Sequence, residues 1–71
     1  MKLWVVGKYI QFYENKGSIW EFQGIFDSYE KALEACHTIS YFIAPAILNE
    51  SFPDETIEWE GLVYPLYVTE Q

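Results

Sequence analysis

One stretch decides the fold: residues 20–36, with the sequence WEFQGIFDSYEKALEAC. Its first half has strand periodicity, with Trp20, Phe22 and Phe26 predicted on one face. Gly24 interrupts this face where a helix or a neighbouring backbone could approach closely. Apolar residues then recur at helical spacing, which predicts one buried stripe made of Tyr29, Ala32, Leu33, Cys36 and Ile39. The stretch therefore predicts a strand that runs directly into a helix.

The helix is predicted to cover Ser28 to about Thr38. Asp27 and Ser28 supply an N-cap, and Asp27 with Glu30 three residues later fits a capping box. The run Thr38-Ile39-Ser40 is β-branched and polar, and such residues have low helix propensity. We therefore expect the helix to end there.

The residues before this stretch predict a hairpin. A first strand is expected from Lys2 to Phe12, and both of its sides are apolar, which is typical of a central strand or of one with an exposed apolar patch. The polar segment 14–18 suits a short turn, and a second strand follows from about Ser18 to Phe26. If the turn spans residues 14–17, Tyr9 is predicted opposite Phe22, and Val5 opposite Phe26.

The residues after the helix predict one or two further strands. Tyr41 to Asn49 is expected to be extended at a sheet edge, where the missing N–H of Pro45 is tolerated. Residues 50–55 form a turn or loop, and Thr56 to Val68 is strand-like with breaks at Gly61 and Pro65. We predict a single α+β domain spanning residues 1–71: an antiparallel sheet of three to four strands with one helix packed on one face, in the order β-β-α-β(-β).

Composition limits the class of protein. With 71 residues the chain is near the lower size limit for folding, and its aromatic content of 20% supplies the area for a core. The single cysteine excludes an internal disulfide, and a lone thiol favours a reducing, cytoplasmic setting. The sequence shows neither a signal peptide nor an apolar run of membrane-spanning length. We expect a cytoplasmic protein without a membrane partner.

Charge is distributed unevenly along the chain. There are eleven acids against four lysines, with no arginine, for a net charge of -7. All the lysines lie at or before Lys31, so the second half carries the net charge. Phosphate contacts need lysine or arginine, so direct nucleic-acid binding is disfavoured. An acidic surface of this kind attracts a partner with a basic surface.

The acidic residues cluster in one segment, which contains Glu50, Asp54, Glu55, Glu58 and Glu60. A solvated surface explains such a run of charge. A calcium site at Asp54, Glu55 and Glu58 lacks the ordered ligand spacing of an EF-hand loop. A docking surface for a basic protein is the sharper interpretation, because charge surrounds an aromatic anchor. Its predicted partner-binding residues are Asp54, Glu55, Glu58, Trp59 and Glu60.

No pattern in the sequence predicts catalysis. Cys36 and His37 are adjacent, but neighbours on a helix point about 100° apart, so they do not form a nucleophile–base pair. Cys36 is expected to be a buried core residue, and His37 to lie near the helix C-terminus. Phosphate-binding loops and nucleotide fingerprints are absent. We expect no catalytic residues, no metal site and no cofactor.

One combination of motifs extends from residue 20 to residue 65. It comprises WEFQGIF at 20–26, EKA at 30–32, AC at 35–36, YFIAP at 41–45, LNE at 48–50, WEG at 59–61 and YP at 64–65. In this order of motifs the chain resembles a group of short uncharacterised proteins encoded by bacteriophages and prophages. The resemblance implies an accessory protein that acts in the bacterial host cytoplasm, and it assigns no catalytic residues.

Two functional hypotheses follow, from different classes. In the first, a non-catalytic phage protein binds a host protein and inhibits a defence or nucleic-acid enzyme through its acidic surface. In the second, the domain forms a homo-oligomer that encloses a small, nucleobase-like ligand between aromatic rings. The oligomer interface would be the outer face of the first strand, made of Trp4, Val6, Ile10 and Phe12. A virion or assembly component is a third class that the sequence leaves open.

Overall fold

The computed structural model describes residues 1–52 and 59–67. Three strands form one antiparallel sheet: β1 (Lys2–Tyr13), β2 (Gly17–Phe26) and β3 (Tyr41–Ile47). A short helix, α1 (Tyr29–Glu34), lies between β2 and β3 in the sequence. The sheet order is β2-β1-β3, so β1 is the central strand. The arrangement is of the α+β class, with the predicted order of elements up to β3.

The predicted hairpin is confirmed. Tyr13 pairs with Gly17, and a tight turn of three residues joins β1 to β2. The backbone N–H of Lys16 donates to the carbonyl oxygen of Tyr13 at 3.1 Å. Gly17 has a φ of 83°, a conformation that glycine adopts without the steric cost paid by other residues.

The predicted register of the hairpin is wrong, because the turn has three residues (14–16) and not four, and because each strand also carries one irregularity. Tyr9 pairs with Trp20, and Val5 pairs with Ile25. Gln23 is an extra, unpaired residue in β2, and Ile10 is an extra, unpaired residue in β1. Such β-bulges place two residues of one strand against one of the other, so strict alternation fails across them.

The bulge at Gln23 also separates aromatic residues that were predicted to share one face. Trp20 contacts Phe42 across the sheet, with ring centroids 5.2 Å apart. Phe26 instead packs against the buried cluster that contains Val6. We call the side of the sheet that carries Phe42 the aromatic face, and the side that carries Val6 the core face. Trp20 and Phe22 belong to the aromatic face, since Phe22 pairs with Gly7, the neighbour of Val6.

The buried cluster lies on the core face. It joins the sheet to the α1 region, and its members are Val6, Ala32, Cys36, Tyr41 and Ile43. Val6 and Ala32 are completely buried. Full burial of a side chain such as valine or isoleucine contributes about 1.5–3 kcal/mol. Ala32 of α1 therefore shares one buried cluster with residues of β1 and β3.

The helix is shorter than predicted, because it ends at Glu34 and not near Thr38. Ser28 is the N-cap, and its hydroxyl oxygen accepts from the backbone N–H of Lys31 at 3.2 Å. After Glu34 the chain turns towards β3, and the backbone N–H of Cys36 donates to the carbonyl oxygen of Leu33. This bond spans three residues, which is typical of a tightened helix end. Ile39 consequently lies outside the helix and is 57% exposed.

The predicted edge position of residues 41–49 is confirmed for β3. Ile43 exchanges both backbone hydrogen bonds with Val63 on the side away from β1. Pro45 lies two residues further along, so its backbone faces the same outer side. Within 59–67 the chain forms two turns around this one bridge, and these residues do not form a strand. The remaining residues of the predicted strand from Thr56 to Val68, namely 56–58 and 68, lie outside the described ranges.

Candidate functional site

Aromatic rings gather on the aromatic face around Phe42, the one buried member of the group. Phe42 meets Trp20, Trp59 and Tyr64 edge-on, at centroid distances of 5.2, 6.5 and 5.8 Å respectively. Trp20 also meets Trp59 at 6.4 Å. Edge-to-face pairs of this kind contribute about 0.5–1.5 kcal/mol each beyond the area they bury. We call these four residues, together with Phe52, the aromatic cluster.

Gly7 leaves room for the rings of this cluster, because it has no side chain. A Cβ atom at Gly7 would lie 2.6 Å from the Trp20 ring and would also collide with the ring of Phe42. The central strand therefore needs a residue without a side chain at this position. Sequence periodicity alone does not reveal this requirement, because it depends on rings from β2 and β3.

Residues 59–67, which we call the strap, run along the outer edge of β3. The indole N–H of Trp59 donates to the carbonyl oxygen of Pro45 at 2.8 Å. Gly61 has a φ of 87°, and a Cβ atom there would lie 2.9 Å from Cγ of Pro45. Two residues later, Val63 forms its bridge to Ile43. The strap therefore satisfies the backbone of an edge that β3 would otherwise expose.

Two of the five predicted partner-binding residues lie in the described ranges. Trp59 is half-buried in the aromatic cluster, and Glu60 is exposed in the turn that follows it. The Phe52 ring meets the Trp59 ring edge-on at 5.2 Å. Asp54, Glu55 and Glu58 lie outside the described residues. In the sequence they fall between Phe52 and Trp59, the two residues whose rings are in contact.

The predicted oligomer surface is dispersed in the structure. Val6 is completely buried on the core face, which leaves it no surface to offer a partner. Trp4 is half-buried beside the same cluster. Ile10 and Phe12 are exposed, but the irregularity at Ile10 breaks the alternation that grouped them with Trp4 and Val6. β1 is buried in its first half because it is the central strand.

A recess lies between β1, the turn before β3 and the strap. Its volume is about 390 Å³, and its lining residues are Tyr9, Ile39, Ser40, Tyr64 and Tyr67. The recess is predominantly apolar, and this volume falls within the range of small-molecule sites. Burial, and to a lesser extent the neighbouring Tyr9, raises the pKa of Tyr64, so this hydroxyl is neutral at physiological pH. Sequence analysis missed the recess, because its residues come from three distant segments.

Cys36 and His37 lie in different surroundings, since Cys36 is buried and His37 is exposed. Cys36 is buried in the core cluster, and its thiol lies 3.5 Å from the carbonyl oxygen of Ala32. Burial raises the pKa of the Cys36 thiol, which disfavours the reactive thiolate. The His37 ring is exposed and meets Tyr41 edge-on at 5.4 Å. Cys36 therefore packs in the buried cluster, whereas His37 contacts Tyr41 at the surface.

Within residues 1–52 and 59–67, histidine, cysteine and acidic side chains do not come together in a group of three that could hold a metal ion. In the same part of the chain, the helix is too short to cross a membrane. Comparisons of the chain with protein-family models, with curated proteins and with solved structures find no match.

Proposed function

We propose that this protein is a non-catalytic phage accessory protein that binds a host protein with a basic surface, such as a defence or nucleic-acid enzyme. One observation carries the proposal: the contact between Phe52 and Trp59. These residues flank the segment that contains Asp54, Glu55 and Glu58, and Glu60 directly follows Trp59. The residues on either side of this acidic segment therefore belong to a partly exposed aromatic cluster.

The chemistry of this region suits a protein partner. Trp59 is held by its hydrogen bond to Pro45, so its position is fixed before binding. Aromatic anchors that are already ordered lose little side-chain entropy when a partner covers them. The net charge of -7 adds long-range attraction for a basic surface. The same charge disfavours nucleic acid as the ligand.

A salt-dependent capture experiment tests the proposal. The protein is immobilised and incubated with bacterial host lysate at about 50 mM and at about 500 mM salt, and captured proteins are identified by mass spectrometry. Binding of the principal captured protein is then measured with purified components. We expect one basic protein whose binding weakens at high salt.

Matched variants assign the binding to the acidic segment. Charge reversal with Glu58→Lys and Glu60→Lys should weaken binding at least tenfold, a loss of about 1.4 kcal/mol or more. The control is charge reversal at Glu30 and Glu34, which changes the net charge equally on the helix. Equal binding by the two double variants would refute a role for the acidic segment.

The tyrosine-lined recess favours a second candidate function, the binding of a small, flat, uncharged ring. Tyr9, Tyr64 and Tyr67 offer ring surfaces. Among the lysines, Lys8 is nearest in sequence to Tyr9, and Lys31 is nearest in sequence to Ile39. With so few cations available, a neutral nucleobase suits the recess better than a phosphorylated ligand. Adenine and guanine are suitable probes. Chemical-shift changes confined to the recess, and lost in Tyr64→Ala, would support this function, whereas unchanged spectra would refute it.

A further inference from the structure

Strand β2 presents a free edge. β1 lies on one side of it, and within the described residues no strand pairs with its other side. The backbone N–H of Tyr9 donates to the carbonyl oxygen of Ser40, on the β3 side of β1. Tyr9 therefore does not bond to its β2 partner, so the N–H and C=O of Trp20 face away from β1. These are the groups with which another strand would pair.

Exposed apolar side chains lie on both faces of β2. On the aromatic face, Phe22 is 60% exposed and Ile25 is 51% exposed, beside the partly exposed Trp20. On the core face, Ile19 is also exposed. Exposed apolar residues clustered along one strand typically mark an interaction surface. A strand added at this edge would contact the exposed apolar side chains on both faces of β2.

The chemistry of β2 favours a copy of itself as the added strand. Glu21 is the only charged residue on β2, and it lies opposite Lys8 in the hairpin. The strand has no lysine and no proline, the residues that commonly protect edges from pairing. The bulge at Gln23 leaves the six residues 17–22 as a regular segment. Because the edge is nearly neutral, two copies can approach there although each chain is acidic overall.

We propose that two copies of this chain associate through antiparallel pairing of their β2 strands. The product is a six-stranded sheet in the order β3-β1-β2-β2-β1-β3. The two-fold axis of such a pair is perpendicular to the sheet, so the aromatic faces of both copies lie on the same side. Trp20 and Phe22 of the two copies then lie on one side of the extended sheet. This interface lies at the opposite edge of the sheet from the strap.

Mass and matched substitutions test the dimer. Sedimentation velocity on the full chain, from about 1 µM to about 500 µM, should give a mass twice that of the 8.4 kDa chain. Phe22→Lys should raise the dissociation constant at least tenfold, because it replaces an exposed apolar side chain of the pairing segment 17–22 with a charge. Leu48→Lys is the control, since Leu48 is also exposed but lies just beyond β3.

Hydrogen exchange of the unmodified protein gives a second test that needs no variant to fold. The backbone amide of Trp20 should exchange at least tenfold more slowly at the high concentration, because dimer pairing gives it an acceptor. A monomer at every concentration would overturn the proposal. So would a dimer that Leu48→Lys weakens as much as Phe22→Lys does, or one in which the Trp20 amide exchanges at an unchanged rate.

Discussion

The indole nitrogen of Trp59 lies 2.8 Å from the carbonyl oxygen of Pro45 and donates a hydrogen bond to it. Pro45 is on the outer edge of β3, and it has no N–H to offer a neighbouring strand. At this residue the edge therefore presents an acceptor alone, which a single side-chain donor can satisfy. The bond fixes the start of the strap and places the Trp59 ring in the aromatic cluster.

Trp59→Phe should lower the free energy of unfolding by about 1–2 kcal/mol, because it leaves the partly buried Pro45 oxygen without its donor. Urea unfolding followed by far-UV circular dichroism measures this loss. Trp20→Phe is the control, because it reduces a ring of the same cluster and leaves the bond to Pro45 in place. Equal losses in the two variants would mean that the hydrogen bond makes no separate contribution.

Two glycines with the same backbone conformation should respond differently to alanine. Gly17 has a φ of 83° with open space around it, whereas Gly61 has a φ of 87° and faces the Pro45 ring. Gly17→Ala should cost about 1–2 kcal/mol for the left-handed backbone. Gly61→Ala should cost about 1–3 kcal/mol more, because its Cβ overlaps the ring. Urea unfolding of both variants measures the difference, and equal costs would contradict the contact between the strap and Pro45.

Local chemistry made several features predictable from the sequence. The hairpin follows from a polar, glycine-containing turn between two apolar runs. Ser28 caps the helix because its hydroxyl can reach the N–H of Lys31 only three residues away. Pro45 predicts an edge strand because it lacks a donor. Each of these features depends on residues that are close together in the chain.

Features that depend on distant residues were not predictable. The extra residue Gln23 moves Phe26 to the core face, and no local signal distinguishes this bulge from regular alternation. Cys36, predicted on the helical stripe, lies beyond the end of the helix and belongs to the buried cluster with Val6 and Ile43. For the site, the sequence indicated Trp59 as an anchor. It could not indicate Pro45, which is 14 residues away, as the acceptor of its hydrogen bond.

Gly7→Ala should be strongly destabilising, because the new methyl group would overlap the rings of Trp20 and Phe42. Overpacking of this kind costs about 1–3 kcal/mol or more. The cost should fall when Phe42→Leu is already present, since the shorter side chain vacates part of the space. A double-mutant cycle measured by urea unfolding checks this coupling. Additive effects of the two substitutions would show that the Phe42 ring does not restrict residue 7.

Cys36 should be protected from alkylation in the folded protein. Its thiol is buried and burial raises its pKa, so iodoacetamide should react slowly at pH 8 without denaturant and rapidly in urea. Mass spectrometry of the alkylated chain measures both rates. Equal rates in the two conditions would contradict the burial of Cys36.

The raised pKa of Cys36 also predicts a pH dependence of stability. Since the folded thiol holds its proton more tightly than the unfolded one, its contribution is complete below the pKa of the unfolded thiol. That contribution is lost as the pH rises through the higher pKa of the folded state. The free energy of unfolding should therefore fall more steeply at alkaline pH for the unmodified chain than for Cys36→Ala. Because Cys36→Ala removes only this thiol, parallel profiles would contradict the raised pKa of Cys36.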